Sequence, residues 1–261
     1  MAADPTALVE LAEKAARAAG AMLLDGLGRA HQSVDTKTSL TDMVSEMDRA
    51  AENLIVEQLL AARPDDAILA EEGSSRDGTS DVRWVIDPLD GTTNYLYGHP
   101  RWSVSIAADV GGQVAAGVVA DPSVDEVFTA TLGGGAWCNG RPIRHSGKDD
   151  LATSLIGTGF AYLRDRRAEQ AAALTAVLPR VRDIRRSGVA SLDLCWVACG
   201  RLDGYYEIGL QPWDVAAGAL IAAEAGAAVS GAHGGPPSGA SVLAAAPGLA
   251  PALLDLLASL A

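Results

Sequence analysis

The sequence predicts an α/β (α+β) protein in which helices lie on the faces of sheets. Three observations point there. Two stretches before residue 64 repeat apolar residues at helical spacing, residues 67–132 switch to short apolar runs between turns, and beyond Lys148 the two kinds of segment alternate. A change of period from about 3.6 to 2 marks a change from helix to strand, and alternation packs helices against a sheet.

Asp4-Pro5 reads as an N-cap followed by proline at the first helical position. Leu8, Leu11, Ala12, Ala15, Ala19, Met22 and Leu23 form the apolar stripe of that helix, and Gly26 ends it. A second helix is expected from Glu46 to Ala62, with Met47, Ala51, Leu54, Ile55 and Leu59 on one face and Arg63-Pro64 as its stop. AILA (67–70) and WVI (84–86) are apolar runs bounded by polar residues and read as strands. Val104 to Val110, a Gly-Gly turn, Val114 to Ala120 and Val127 to Leu132 predict an antiparallel meander, closed by Gly133 to Gly135 and RPIR. Then follow a strand at Leu155–Thr158, helices at Arg166–Leu178 and Val189–Ala198, and a strand at Tyr205–Ile208. A helix at Pro212–Ala225, a strand at Val242–Ala246 and a last helix at Ala250–Leu260 complete the chain, with Gly231–Gly239 as a surface loop. Ser74 to Asp81 reads as a mobile loop. The expected division is 1–150 and 151–261, two halves of one compact unit.

Composition narrows the function. With 49% hydrophobic residues the chain can bury a large core, and abundant alanine with only 5% aromatics suggests closely packed helices. No apolar run reaches the roughly 18 residues of a membrane span, and Met1-AADP has neither basic start nor apolar stretch, so a cytoplasmic location is expected. A net charge of −13 argues against membrane or nucleic-acid binding, which need basic surface. The basic runs RDRR (164–167) and RVRDIRR (180–186) read as solvated surface. Cys138, Cys195 and Cys199 are odd in number and lack CxxC spacing, so they read as buried free thiols rather than disulfides or a zinc site.

The chemistry lies in the carboxylates. Asp87 ends the strand RWVID, and open α/β sheets take ligands at the carboxyl ends of their strands. Pro88 stiffens the exit, Asp90 follows three residues on, and Gly91 lets backbone approach a ligand before Thr92-Thr93 open a possible helix N-terminus, which favours an anion. A cation site beside an anion site is what metal-dependent phosphoryl chemistry needs. The ligands on offer are Asp, Glu and a carbonyl, which point to Mg2+ or Mn2+. Turn chemistry alone also accounts for Asp87 and Asp90, because Asp-Gly is a turn dipeptide. Glu71-Glu72 likewise follow an apolar strand. Asp214 in PWDVAAG either complements a helix dipole or faces the first cluster, and one of Asp42 and Asp48 is a plausible N-cap.

WVIDPLDGTTNY (84–95) and WDVAAGALIAAEAG (213–226) together resemble the two signature motifs of the inositol monophosphatase family. The resemblance spans nearly the whole chain through KTSLTDMVSEMD (37–48), ILAEEG (68–73), GAWCNGRPI (135–143) and RRSGVASLDLCWVACGRLDGYYEIG (185–209). It implies a layered α-β-α-β-α sandwich of the Mg-dependent, Li-sensitive sugar-phosphatase type, working as a homodimer on a small phosphate ester. It implies that Glu71, Asp87 and the Leu89 carbonyl hold a first Mg2+, that Asp87, Asp90 and Asp214 hold a second, and that Glu71 with waters holds a weaker third, with Mn2+ as substitute. Asp90 is also carried over as a substrate contact, and Gly91 and Thr92 would meet the phosphate through backbone N–H groups. Asp48 and Thr92 would pair beside the attacking water, with Lys37 matching a lysine of the same segment, and Gly188, Val189, Ala190 and Glu207 would form the wall that meets the alcohol. One departure stands out: Val189 occupies a position where relatives often carry Thr or Ser.

Glu207 in YYEIGLQPWD resembles the inositol-phosphatase branch, so inositol 1-phosphate is the expected substrate, with fructose 1,6-bisphosphate as a possible second. Thr93 stands where the histidinol-phosphate branch more often has Lys, and the compact chain lacks the insertions of the nucleotide-phosphatase branch. A histidinol-phosphate or nucleotide phosphatase stays open, as does an interaction role with transcription machinery through Arg180 to Arg186.

Overall fold

A computed structural model describes residues 3–27, 34–36 and 43–259; Lys37 and Asp42 lie outside them. Helix α1 (Pro5–Gly26) starts where the sequence places it, with the Asp4 carboxylate accepting from the Thr6 amide at 3.0 Å. Strands β1 (Val34–Thr36) and β2 (Met43–Ser45) pair antiparallel and lead into α2 (Glu46–Ala62). Then follow β3 (Ala67–Ala70), β4 (Val82–Asp90), the short α3 (Thr92–Leu96), β5 (Ser103–Val110), β6 (Gln113–Asp121), β7 (Glu126–Thr131), β8 (Gly135–Cys138) and β9 (Arg141–Pro142). These strands form one sheet in chain order, with β3 parallel to β4 and the rest antiparallel. The second half holds β10 (Leu155–Thr158), α4 (Arg164–Val177), β11 (Asp183–Arg185), α5 (Ala190–Ala198), β12 (Gly204–Ile208), α6 (Pro212–Glu224), β13 (Ala228–Ser230), β14 (Ser241–Ala245) and α7 (Ala250–Ala258). Its sheet runs β11-β10-β12-β14-β13, with β13 and β14 antiparallel to their neighbours.

The layers follow from which faces are apolar. Helices α1 and α2 cover one face of the seven-stranded sheet, α5 and α6 lie between the two sheets, and α7 packs on the outer face of the five-stranded sheet. The order is α-β-α-β-α. Strands β5 and β6 are buried on both faces along most of their length, as a sheet covered on both sides requires. Helix α5 is almost wholly buried and α6 largely so, as expected for helices apolar all round. Polar α4 buries only Val177. None of the described helices is long and apolar enough to cross a membrane.

Four differences from the sequence reading have physical causes. The strand expected to end at Asp87 continues to Asp90 through a register shift, because Pro88 lacks an amide proton and the ladder resumes beyond it. Strands β8, β9, β11 and β13 span at most four residues and carry no alternation of their own, so a neighbouring strand's ladder recruits them. The loop expected to be mobile is tied down: Glu52, buried on α2, accepts from the amides of Glu72 and Ser74 at 2.6 and 2.9 Å, and Arg76 bridges Ile68. Ser80 Oγ donates to Asp66 at 2.6 Å. Finally, only Cys195 is a buried thiol, whereas Cys138 and Cys199 are half-buried, and all three are free.

Helices α5 and α6 pack closely at Gly218 on α6, where an added Cβ would lie 2.8 Å from Leu194 Cβ on α5. Alanine would gain up to about 1 kcal/mol in helix propensity but overpack a layer clamped between two sheets, which costs about 1–3 kcal/mol. Gly218→Ala should therefore lose roughly 1 kcal/mol of stability in urea unfolding. A stabilised variant would show that the layer yields.

Candidate active site

Strand β4 delivers two carboxylates to one side of the sheet. Residues three apart on a regular strand point to opposite faces. Here Asp87 lies opposite Ser105 and Asp90 opposite Ser103, so three steps on β4 match two on β5. The extra residue restores the parity, and both acids face the α5–α6 layer. Leu89 N–H donates to Asp87 Oδ1 at 3.0 Å, which closes the bend.

Other elements converge on this point. Glu71 follows β3, and its amide donates to the Ile86 carbonyl at 3.2 Å, which carries the parallel pairing one step past the strand. Asp214 sits in the first turn of α6, where its carboxylate accepts from the Gln211 amide at 2.7 Å; Ser105 Oγ donates to the Trp213 carbonyl at 3.3 Å and holds this turn against β5. Asp214 thus does both things the sequence allowed: it caps its own helix and lines the cavity. Gly91 has φ +93°, and an added Cβ would come 2.9 Å from Val189 Cγ2. Thr92 Oγ lies 3.1 Å from both Asp48 Oδ2 and the Leu89 carbonyl, with one proton to give to either acceptor.

These residues line a cavity of about 400 Å3 that takes in Glu71, Asp87, Leu89, Asp90, Gly91, Thr92, Arg186, Gly188, Ala190, Glu207 and Asp214. Two expected residues stand behind its wall: Asp48 is buried beneath Thr92, and Val189 is buried beneath Gly91. Whatever a hydroxyl does at that position in relatives, the Val189 side chain is spent on packing.

Electrostatics set the character of the cavity. Burial, then Glu71, Asp90, Asp214 and Asp48, hold the Asp87 carboxyl well above its usual range. Burial and the Asp90 charge do the same to Asp214. Burial pushes Asp90 up to about 6 against the opposing pull of hydrogen bonds from Ser191. Burial pushes Glu207 up to about 7, with Tyr205 pulling the other way. Asp87, Asp90, Asp214 and Glu207 each accept from a protein donor, and among the described residues no group of three or more acidic, histidine or cysteine side chains is gathered into a metal cage. The donor set nonetheless fits a hard divalent cation: every donor is oxygen, no His or Cys lines the cavity, and the buried repulsion is what such an ion would relieve.

Several residues of the site escaped the sequence reading. Ser191 donates to Asp90 Oδ2 through its amide (2.8 Å) and its hydroxyl (2.7 Å). Tyr205 O–H donates to Glu207 Oε2 at 2.6 Å, and a Cβ on Gly159 would land on that carboxylate. Asn94 donates to the Ser187 carbonyl at 3.0 Å and to the Arg101 carbonyl at 2.9 Å, tying α3 to the loop before α5. Ser187 Oγ in turn donates to the buried Asp193 at 2.7 Å. The available signals were polar residues inside the apolar run of α5 and the i, i+2 pair Tyr205/Glu207 on one face of a strand.

The profile of the inositol monophosphatase family matches residues 4–261. The inositol-1-monophosphatase SuhB of Mycobacterium tuberculosis is 46% identical over 278 aligned positions, covering 97% of this chain and 94% of that protein. The Nus factor SuhB of Pasteurella multocida is 44% identical over 230 positions, covering 87% of this chain and 86% of that protein. The crystal structure of the extragenic suppressor protein suhB from Bartonella henselae superposes with a TM-score of 0.92 at 39% identity, covering 96% of this chain and 98% of that one.

The raised carboxyls have a consequence for the metal-free protein. Between about pH 4 and 6 the folded state keeps a proton on Asp90 that the unfolded chain has released, so its contribution to stability falls as pH rises through that window. Asp90→Asn removes this penalty and keeps an acceptor for Ser191. In EDTA, the stability of Asp90→Asn relative to the parent should rise by up to about 3 kcal/mol from pH 4 to pH 7, read as the difference in Tm. A pH-independent difference would refute the raised carboxyl.

Proposed function

The chain belongs to the inositol monophosphatase family, and on that premise we propose that it is a Mg2+-dependent phosphomonoesterase that hydrolyses myo-inositol 1-phosphate to myo-inositol and phosphate. The observation that carries this reading is the single cavity lined by Glu71, Asp87, Asp90 and Asp214 beside Gly91 and Thr92, with Glu207 in the same lining.

Glu71, Asp87 and the Leu89 carbonyl would hold one cation, and Asp87, Asp90 and Asp214 a second; Mg2+ held there would supply positive charge against the phosphate and a water of lowered pKa. The chain's own groups orient the reactants. With its proton given to Asp48, the Thr92 oxygen accepts a hydrogen bond from the attacking water, and Glu71 accepts a second. The backbone at Gly91–Thr92 meets the phosphate. Gly188 and Ala190 bound the alcohol, and Glu207, steadied by Tyr205, accepts from its ring hydroxyls. A site built around such an acceptor discriminates strongly against alcohols that lack the matching hydroxyl.

A second reading draws on the relative named Nus factor SuhB. Arg182 and Arg185 are exposed at and beside β11, in a surface suited to an acidic partner. If that surface binds transcription machinery, Arg182→Glu with Arg185→Glu should abolish association with purified transcription complexes and leave phosphatase turnover intact. Association unchanged by the charge reversal would remove the reading.

A panel of phosphate esters with Mg2+ tests the main proposal. Inositol 1-phosphate should be the best substrate; negligible turnover of it beside brisk hydrolysis of fructose 1,6-bisphosphate or histidinol phosphate would overturn the substrate. Asp90→Asn should lose at least about a thousandfold in kcat while circular dichroism and Tm report an intact fold, because it removes ligand charge and not packing. Retained turnover at saturating Mg2+ would contradict the assignment.

A further inference from the structure

We propose that Ser191, backed by Ser103, is a positioning residue that orients Asp90 as a cation ligand. The proposal rests on the metal-dependent reading of the site. Helix α5 has Val189 at its N-cap, with no side chain to cap it. Asp90 supplies the cap from β4: its Oδ2 accepts from the Ser191 amide at 2.8 Å and from the Ser191 hydroxyl at 2.7 Å. Ser191 Oγ lies 2.8 Å from Ser103 Oγ, and Ser103 stands directly opposite Asp90 in the β4–β5 ladder. One strand pair and one helix therefore meet at a single carboxylate oxygen.

The direction of the chain is set by proton count. An ionised carboxylate only accepts, and the Ser191 hydroxyl has one proton, which goes to Asp90. Ser191 Oγ is then an acceptor toward Ser103, so the order is Ser103 O–H to Ser191 O–H to Asp90 Oδ2. Each hydroxyl polarises the next. Both serines are 0% exposed and Asp90 is 9% exposed, so water does not readily replace a lost donor. With Oδ2 held by the amide and the hydroxyl of one residue, rotation of the carboxylate is restricted, and a cation would meet a group already oriented. Groups that hold a ligand in this way typically carry ten- to a hundredfold of metal affinity.

The test compares the parent with Ser191→Ala, Ser103→Ala and the double variant. Mg2+ binding is measured by calorimetry and by the Mg2+-dependent rise in Tm, and the Mg2+ dependence of turnover is recorded in parallel. The Mg2+ Kd should weaken about tenfold in Ser191→Ala. It should weaken less, about threefold, in Ser103→Ala, which keeps both direct donors to Asp90. The double variant should be no worse than Ser191→Ala alone, because Ser103 acts only through Ser191. Variants with a lower Tm in EDTA but the parent's Kd would make the hydroxyls structural and overturn the proposal. Additive losses would break the chain order. If Ser191→Ala does not fold, Ser103→Ala carries the test. A parent that binds no Mg2+ would bring down the metal reading itself, whereas a binding parent with unaltered variants would bring down only the positioning role.

Discussion

Repulsion among buried carboxylates is the constraint around which the molecule is arranged. Asp87 and Asp90 come from β4 and Asp214 from α6, and burial together with neighbouring carboxylates, Glu71 among them, holds all three above the usual carboxylate range. Such crowding is unfavourable for folding alone, since the same positions filled by neutral residues would cost less. It persists because every acid has a backbone or hydroxyl donor built to receive it: Leu89 N–H for Asp87, Ser191 for Asp90, Gln211 N–H for Asp214. The donors keep the acids in place but do not neutralise them, and that residual charge suits a hard divalent cation.

The arrangement depends on a single extra residue in β4. Without the bulge between Asp87 and Asp90 the two acids would face opposite layers, one toward α5–α6 and one toward α1–α2. Pro88, with no amide proton, makes that interruption inexpensive. The same bulge carries the chain into Gly91, whose positive φ turns it into α3, and Tyr95 on α3 anchors the turn by donating to the Leu23 carbonyl of α1 at 2.6 Å. Local covalent chemistry at two positions therefore decides where the functional groups meet.

The sequence made the periodic parts of this fold legible. The limits of α1 could be read to the residue because a cap, a stripe and a stop all agreed, whereas those of α2 followed from a stripe and a stop, with Asp48 inside the helix and not at its cap. The pair of acids flanking Pro88-Leu89 was visible as a cluster, and Asp214 as a helix-start acid. The donors were not visible. Ser103 and Ser191 are 88 residues apart, and nothing in either neighbourhood announces a partner across the sheet. Glu52 had the same character: within a helical stripe it looks like any polar interruption, and only the returning loop shows that it receives two amides. Periodicity reports how an element faces the core, whereas a hydrogen bond between distant elements depends on the register that folding creates.

The two sheets divide the chemistry between them. Asp87 and Asp90 come from the seven-stranded sheet and Glu71 follows its edge strand, while Glu207 and Tyr205 sit on β12 of the other, with Gly159 just past β10. The middle layer joins the halves, since α5 starts at Ala190 in the cavity wall and caps on Asp90, and α6 carries Asp214 in its first turn. The acid cluster of β4 and the Glu207 carboxylate therefore sit on separate frameworks held in register by two buried helices. Changes at Glu207, Tyr205 or Gly159 reach the Glu207 side of the cavity without altering the β4 bulge. Changes in the α5–α6 seam reach both halves at once, because that seam sets the distance between them. With the phosphatase role proposed for this site, such a frame would let the alcohol change while the reaction at the phosphate stayed the same.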